Sequence, residues 1–304
     1  MATKQVRPYH PFRSEQARER YLADYDSRAA RWPLQSESSL IRTAHGDTYV
    51  RVLGPAGGPP LVMLTGVWIH SQQWPVPLIE ALSREFRTYL PDNIYDFGRS
   101  VSARPGGTAA DHNAWLDGLF DALGVSGNVN LFGISRGAWI TAEYVLHAPE
   151  RLVKAVWMSP ALVVCRPSWR NAANGPRSLA AMAKPSKRTL SAMLRWLMPE
   201  LAARDSDCFE DEVEAMLLGL QCYAHPTNVT GPRVFSPAEF GRIKLPVLYL
   251  AGEDEKMCSP KTAVRRLTRV APRTETAVLP GGGHDLIDLE PQAVAERVLA
   301  FLRR

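Results

Sequence analysis

Apolar and polar positions along the chain repeat in two rhythms. Residues 14–30 repeat every three to four places, with Ala17, Tyr21 and Tyr25 on one stripe. With Ser14 placed as N-cap, this predicts a surface helix. The spacing then shortens. Residues 39–44 and 48–53 flank the turn signal His45-Gly46-Asp47 and predict a hairpin. After a Gly/Pro-rich loop over 54–60, residues 61–64 form a continuous apolar run, as expected of a strand buried on both faces. Helix and strand then alternate: helix over 74–86, strand 88–91, helix 108–123, strand 128–132, helix 138–146 and strand 153–158. The helix over 108–123 is the clearest. Thr108 caps it, Trp115, Leu116, Leu119, Phe120 and Leu123 make its apolar stripe, and Gly124 stops it.

After Pro160 the strand rhythm stops, and residues 162–242 read as short helices and loops. It returns with a strand over 246–251, a helix 260–270, a strand 274–279 and a helix 291–302. Alternation on both sides of one interruption implies an α/β fold with a mostly parallel central sheet flanked by helices. The expected organisation is an N-terminal helical extension at 1–37, an α/β core at 38–161 and 243–304, and an inserted helical cap at 162–242. There is no internal repeat or low-complexity tract.

The strongest chemical signal is Gly133-Ile134-Ser135-Arg136-Gly137, between a predicted strand and a predicted helix. A G-x-S-x-G turn in that setting lifts the serine hydroxyl above the sheet, at the positive end of the following helix. As a structural turn alone the motif is common, but its flanks favour a nucleophile. A serine hydroxyl needs a base. His284, in Gly281-Gly282-Gly283-His284-Asp285, lies just past the last predicted strand, on a loop that three glycines leave free to bend over the sheet edge. The other six histidines lack such a setting; His70 reads as a wall residue near the entrance loop. A base also needs a carboxylate to hold its tautomer, and the loop Gly252-Glu253-Asp254-Glu255 offers several. Two backbone N–H groups must face the developing oxyanion. The expected donors are Arg136, next to the nucleophile, and Val67, in the loop Thr65-Gly66-Val67-Trp68.

Composition narrows the partners. Hydrophobic residues make up 45% of 304, enough for one large core with an insertion. No apolar run reaches the roughly 18 residues of a membrane span. The charged leading residues lack the apolar stretch of a secretory signal, so a cytoplasmic location is expected. Cys165, Cys208, Cys222 and Cys258 form no CxxC pair and stand at no metal-ligand spacing, so they are expected to be reduced, with no metal and no cofactor. Net charge is +5, but unevenly spread: eight Lys or Arg between Cys165 and Arg204 face one acid, and six acids follow between Asp205 and Glu214. The plain reading is two solvated helix faces that pair with each other; the sharper one is a basic rim for an anionic substrate or carrier. No recognition motif accompanies the charge, so nucleic acid and membrane are not expected partners. Trp68, Trp74, Trp139, Trp169 and Trp196 offer an aromatic pocket lining, with core packing the expected role for at least half of them.

In these motifs the chain resembles the α/β-hydrolase superfamily, from about residue 48 to 304. Stretches 71–74, 92–100, 113–124, 147–160, 196–199 and 252–260 make it most similar to bacterial carboxylesterase-like serine hydrolases with a helical cap. The resemblance implies the order Ser135, acid, His284, with the acid three residues beyond Gly252, at Glu255. Asp254, which could instead cap the turn, and Asp288 are the alternatives. Three departures stand out. The oxyanion loop begins Thr65-Gly66 where the family has His-Gly. Glu255 stands where Asp is commoner. Arg136 follows the nucleophile, a pairing found in epoxide hydrolases, whose nucleophile is Asp. The implied activity is cleavage of a small-molecule ester or lactone through an acyl-enzyme. The alternatives are a thioesterase or acyltransferase on CoA- or carrier-bound acyl groups, and a non-hydrolytic binding or cyclising protein.

Overall fold

A computed structural model describes residues 11–125, 127–167, 174–224 and 231–304. Helix α1 (Glu15–Arg31) opens the chain, with the Ser14 hydroxyl accepting the Ala17 N–H at 3.1 Å. Strands β1 (Glu37–Thr43) and β2 (Gly46–Leu53) form the hairpin, followed by β3 (Pro60–Leu64). The helix expected over 74–86 is shorter. A 3-10 turn at Ser71–Gln73 precedes α2 (Val76–Ser83), because Pro75 and Pro77 can only stand at a helix start. Strand β4 (Arg87–Pro91), a two-residue β5 (Val101–Ser102) and α3 (Ala109–Leu123) follow. Thr108 and Asp111 make a reciprocal cap on α3, and Gly124 ends it at φ 68°.

The core continues with β6 (Val129–Ile134), α4 (Arg136–His147) and β7 (Leu152–Met158). Among the described residues, five helices then separate β7 from the next strand: α5 (Gly175–Ala183), α6 (Lys187–Leu197), α7 (Pro199–Arg204), α8 (Ser206–Cys222) and α9 (Pro237–Arg242). The core closes with β8 (Val247–Gly252), α10 (Pro260–Val270), β9 (Glu275–Leu279), a one-turn α11 (Leu286–Leu289) and α12 (Pro291–Leu302).

The strands lie in the order β1-β2-β4-β3-β6-β7-β8-β9, with β5 on β2. Pairing is antiparallel among β1, β2 and β4 and parallel from β4 through β3 to β9. Successive side chains of a strand point to opposite faces, and both faces here are covered. Val62 and Leu64 of β3 join Trp115, Leu119 and Trp139 on one side. Leu61 and Met63 join Leu78, Leu82 and Val298 on the other. That double burial is why the central strands read as unbroken apolar runs.

Helix α1 is not a free extension. Phe12, Tyr21 and Tyr25 share an apolar cluster with Phe209, Met216 and Tyr223 of the inserted region. The two charge blocks pair in part: Lys187 with Glu210 at 2.8 Å and Glu214 at 2.9 Å, and Arg195 with Glu210 at 3.3 Å, while Arg204 turns to Glu290 and Asp211 to Arg28.

The cysteine expectation is corrected. Cys165 and Cys258 are joined by a disulfide, with Cα atoms 5.9 Å apart, while Cys208 and Cys222 are free. The partners are 93 residues apart in sequence, so spacing carries no signal. They meet because Cys165 follows β7, Cys258 follows β8, and these strands are neighbours.

Candidate active site

Four strand ends converge above the sheet. At the end of β6 the backbone turns so sharply that Ser135 takes φ 53° and ψ −113°, where a side-chain-bearing residue is strained. The flanking glycines explain how the turn closes: a Cβ on Gly133 would strike the Gly137 carbonyl, and one on Gly137 the Leu64 carbonyl. Backbone bonds brace the turn from both sides. Ser135 N–H donates to Met158 O at 2.9 Å, and Ser135 O accepts from Ala161 N at 3.1 Å and Trp139 N at 3.2 Å.

The loops after β8 and β9 pack backbone to backbone. Glu253 N–H donates to Leu279 O and Asp254 N–H to Gly282 O. A Cβ on Gly283 would lie 2.8 Å from the Asp254 carbonyl oxygen, so glycine is needed for the approach. This docking sets His284 Nδ1 2.8 Å from Glu255 Oε2, both side chains buried. Glu255 Oε1 accepts the Met257 N–H at 2.7 Å, while Asp254 is exposed. Burial pushes the Glu255 pKa up, but the His284 charge and these hydrogen bonds hold it below the ordinary value. For His284 burial works downward, and the charge and hydrogen bond of Glu255, with the nearby Asp285 and Asp288, together outweigh it and leave the imidazole above 6.5. With Nδ1–H donating to Glu255, Nε2 is the basic nitrogen.

Ser135 and His284 line one cavity of about 290 Å³, together with Thr65, Gly66, Val67 and Trp68. The Val67 and Arg136 N–H groups donate to no other group among the described residues. The Arg136 side chain leaves the cavity. It is 3% exposed, lies 5.5 Å over Trp139, and places Nη2 3.4 Å from His112 Nε2.

The helical region between β7 and β8 supplies much of the cavity wall through Met193, Leu194, Leu197, Met198 and Met216. Two carboxyls interrupt this apolar lining. Burial and the neighbouring Asp288 charge raise Glu212 to about 8; burial and Asp285 raise Asp288 to about 7. Glu212 accepts from Gln73 Nε2 at 2.6 Å. Trp68 and Trp74 line the cavity, whereas Trp139 packs in the core and Trp196 lies under Lys256. Trp169 lies outside the described residues. His70 does not line this cavity; it is 4.8 Å from the Tyr25 ring, where burial lowers its pKa to about 4.

Several contacts escape sequence reasoning. Asp285, fully buried, accepts the Gly283 N–H and the Leu201 N–H at 2.9 Å each. It thus ties the His284 loop to the start of α7. Arg204 reaches Gly281 O at 3.2 Å, and Lys256, next to Glu255, reaches Trp196 O at 3.0 Å. The only sequence signal for Asp285 is its place beside His284, because its partner on α7 is 84 residues away. Among the described residues no group of three or more His, Cys, Asp or Glu could hold a metal ion, and no helix is long and apolar enough to cross a membrane.

Residues 61–297 match the model of the alpha/beta hydrolase family. Among curated proteins, the chain is 31% identical over 284 residues to a Bacillus subtilis protein named uncharacterized carboxylesterase nap, covering 93% of this chain and 92% of that protein. It is also 31% identical to carboxylesterase YbfK of the same organism over 288 residues, covering 93% of each. Among solved structures, naproxen esterase (carboxylesterase NP) from Bacillus subtilis superposes with a TM-score of 0.83 at 29% identity, over 95% of this chain and 99% of that one.

Proposed function

The chain belongs to the alpha/beta hydrolase family, and on that premise we propose that Ser135, Glu255 and His284 act together to cleave small-molecule carboxylic esters through an acyl-enzyme. It is a carboxylic ester hydrolase, in keeping with the carboxylesterases it is similar to. The observation that carries the residue assignment is one cavity receiving both a serine on a strained turn and a histidine held by a buried carboxylate.

Ser135 Oγ attacks the ester carbonyl as His284 Nε2 takes its proton. Glu255 stabilises the imidazolium through Nδ1–H. The Val67 and Arg136 N–H groups receive the negative charge on the former carbonyl oxygen. Collapse of the tetrahedral intermediate breaks the ester C–O bond, and the imidazolium returns its proton to the leaving alcohol. Water then attacks the acyl-Ser135 ester, again deprotonated by His284, and the acid leaves with Ser135 restored. Residues 162–242 act as a cap that shapes the acid- and alcohol-binding space, since their described helices furnish one wall of the cavity.

A substrate panel tests this. p-Nitrophenyl esters should be turned over, acyl-CoA thioesters poorly, and the Ser135→Ala variant should turn over neither. Preference for acyl-CoA would overturn the ester reading. The basic stretch that would favour a carrier-bound substrate is partly engaged with Glu210 and Glu214. A fluorophosphonate that fails to label Ser135 would favour a non-hydrolytic protein. A cytoplasmic location belongs to the same proposal; the Cys165–Cys258 bond would be an exception there, since cytosolic disulfides are rare, and recovery of the protein outside the cytoplasm on cell fractionation would overturn it.

A further inference from the structure

The Val67 N–H belongs to a peptide that needs an outside hold. Gly66 precedes it, and a glycine ψ turns freely. The next peptide has such a hold. Trp68 takes φ 62°, a conformation bulky residues rarely adopt, and its N–H points between both carboxylate oxygens of Asp96, 3.1 Å from each. Asp96 also accepts the Phe97 N–H at 2.8 Å and is 4% exposed. Burial raises this carboxyl to about 6, against the nearby positive charge of Arg136, which favours the anion. The guanidinium is itself buried and has a neutral neighbour: burial and the Arg136 charge lower His112 to about 3, so Nε2 can accept from Nη2.

We propose that Asp96 is a positioning residue for ester cleavage: its buried carboxylate clamps the Val67–Trp68 peptide so that the Val67 N–H stays aimed at the oxyanion. The inference rests on the ester-hydrolase reading of the cavity. Such a clamp acts on the transition state more than on bound substrate, because the full charge on oxygen exists only there.

Asp96→Ala and Asp96→Asn are compared with wild type, with Ser135→Ala as the blank. The measurements are kcat and KM on one p-nitrophenyl ester, Ki for a trifluoromethyl ketone that forms a tetrahedral adduct, Ki for the product acid, and Tm. In Asp96→Ala kcat should fall about 100-fold, the order seen when one oxyanion donor is lost. In Asp96→Asn, whose single carbonyl oxygen can still accept, it should fall about 10-fold. The ketone should weaken by the same factor as kcat/KM, while KM and the product Ki stay within about threefold. A folded variant with kcat within about threefold of wild type, or a loss carried by KM, overturns the proposal. If Asp96→Ala does not fold, Asp96→Asn decides by the same criteria. Full turnover by Ser135→Ala would instead overturn the nucleophile assignment, which keeps the two failures apart.

Discussion

The proposed nucleophile and its proposed base are held by two different kinds of structure. Ser135 sits in five contiguous residues, and its turn is braced by β7 and its own helix. Its position is a property of the sheet. His284 and Glu255 sit on two loops that touch each other and also touch the inserted helices, through Asp285 to Leu201, Arg204 to Gly281 and Lys256 to Trp196. Their position is shared with the region that forms the cavity wall. The nucleophile should therefore tolerate changes in the insertion, while the acid–base pair should feel them.

The largest effect expected is on the sheet side. Ser135→Ala should abolish turnover, with a loss on the order of 10⁶ as for nucleophile removal in another serine hydrolase. It should leave Tm nearly unchanged, because the hydroxyl packs against little at a turn tip. A variant with kcat above about one hundredth of wild type would sink the covalent mechanism.

Next comes the carboxylate. Glu255→Gln should lower kcat by about 10⁴, as for loss of the orienting acid in a well-studied triad. Asp254→Asn, at an exposed position, should stay near wild type. The reverse pattern would reassign the acid. The same pair fixes the pH dependence. The base must be neutral to accept a proton, and the raised His284 pKa means kcat/KM is lost as pH falls through a value above 6.5. Without the Glu255 carboxylate, burial is less opposed and the His284 pKa drops. NMR titration of the imidazole in Glu255→Gln should move to lower pH.

A smaller effect should separate the two regions directly. Asp285→Ala leaves two buried N–H groups without their acceptor, at a cost of about 1–3 kcal/mol each in stability. It should also lower kcat by roughly tenfold, since displacing a catalytic group by about 1 Å can lose 10²-fold. A fluorophosphonate should still label Ser135, though more slowly. If stability falls and kcat stays unchanged, the link to α7 is structural only.

The smallest effect on kcat is expected at the disulfide. Cys165→Ser with Cys258→Ser should remove about 2–4 kcal/mol of stability, seen as a lower denaturation midpoint, because a bond closing so long a loop restricts the unfolded chain. Turnover by the folded variant should change little. A loss of more than about tenfold in kcat would mean that the bond positions the Glu255 loop, three residues away.

The fold and the sheet side of the site were legible in the residues themselves. Apolar runs such as 61–64 declare strands buried on both faces, and the period of Trp115, Leu116, Leu119 and Phe120 declares a helix, because burial imposes a fixed repeat on neighbouring residues. Gly133-Ile134-Ser135-Arg136-Gly137 is legible for the same reason, since strand, turn and helix adjoin in sequence. What tertiary structure decided lies between segments distant in the chain. Glu255 rather than Asp254 meets His284 because two loops dock backbone to backbone. Cys165 meets Cys258 because their strands are neighbours, Asp285 finds its second acceptor role on α7, and Asp96 reaches Trp68 from the loop after β4. These contacts join residues 28–93 positions apart. A local pattern records which residues seek burial, but not which distant chain segment will meet their polar groups.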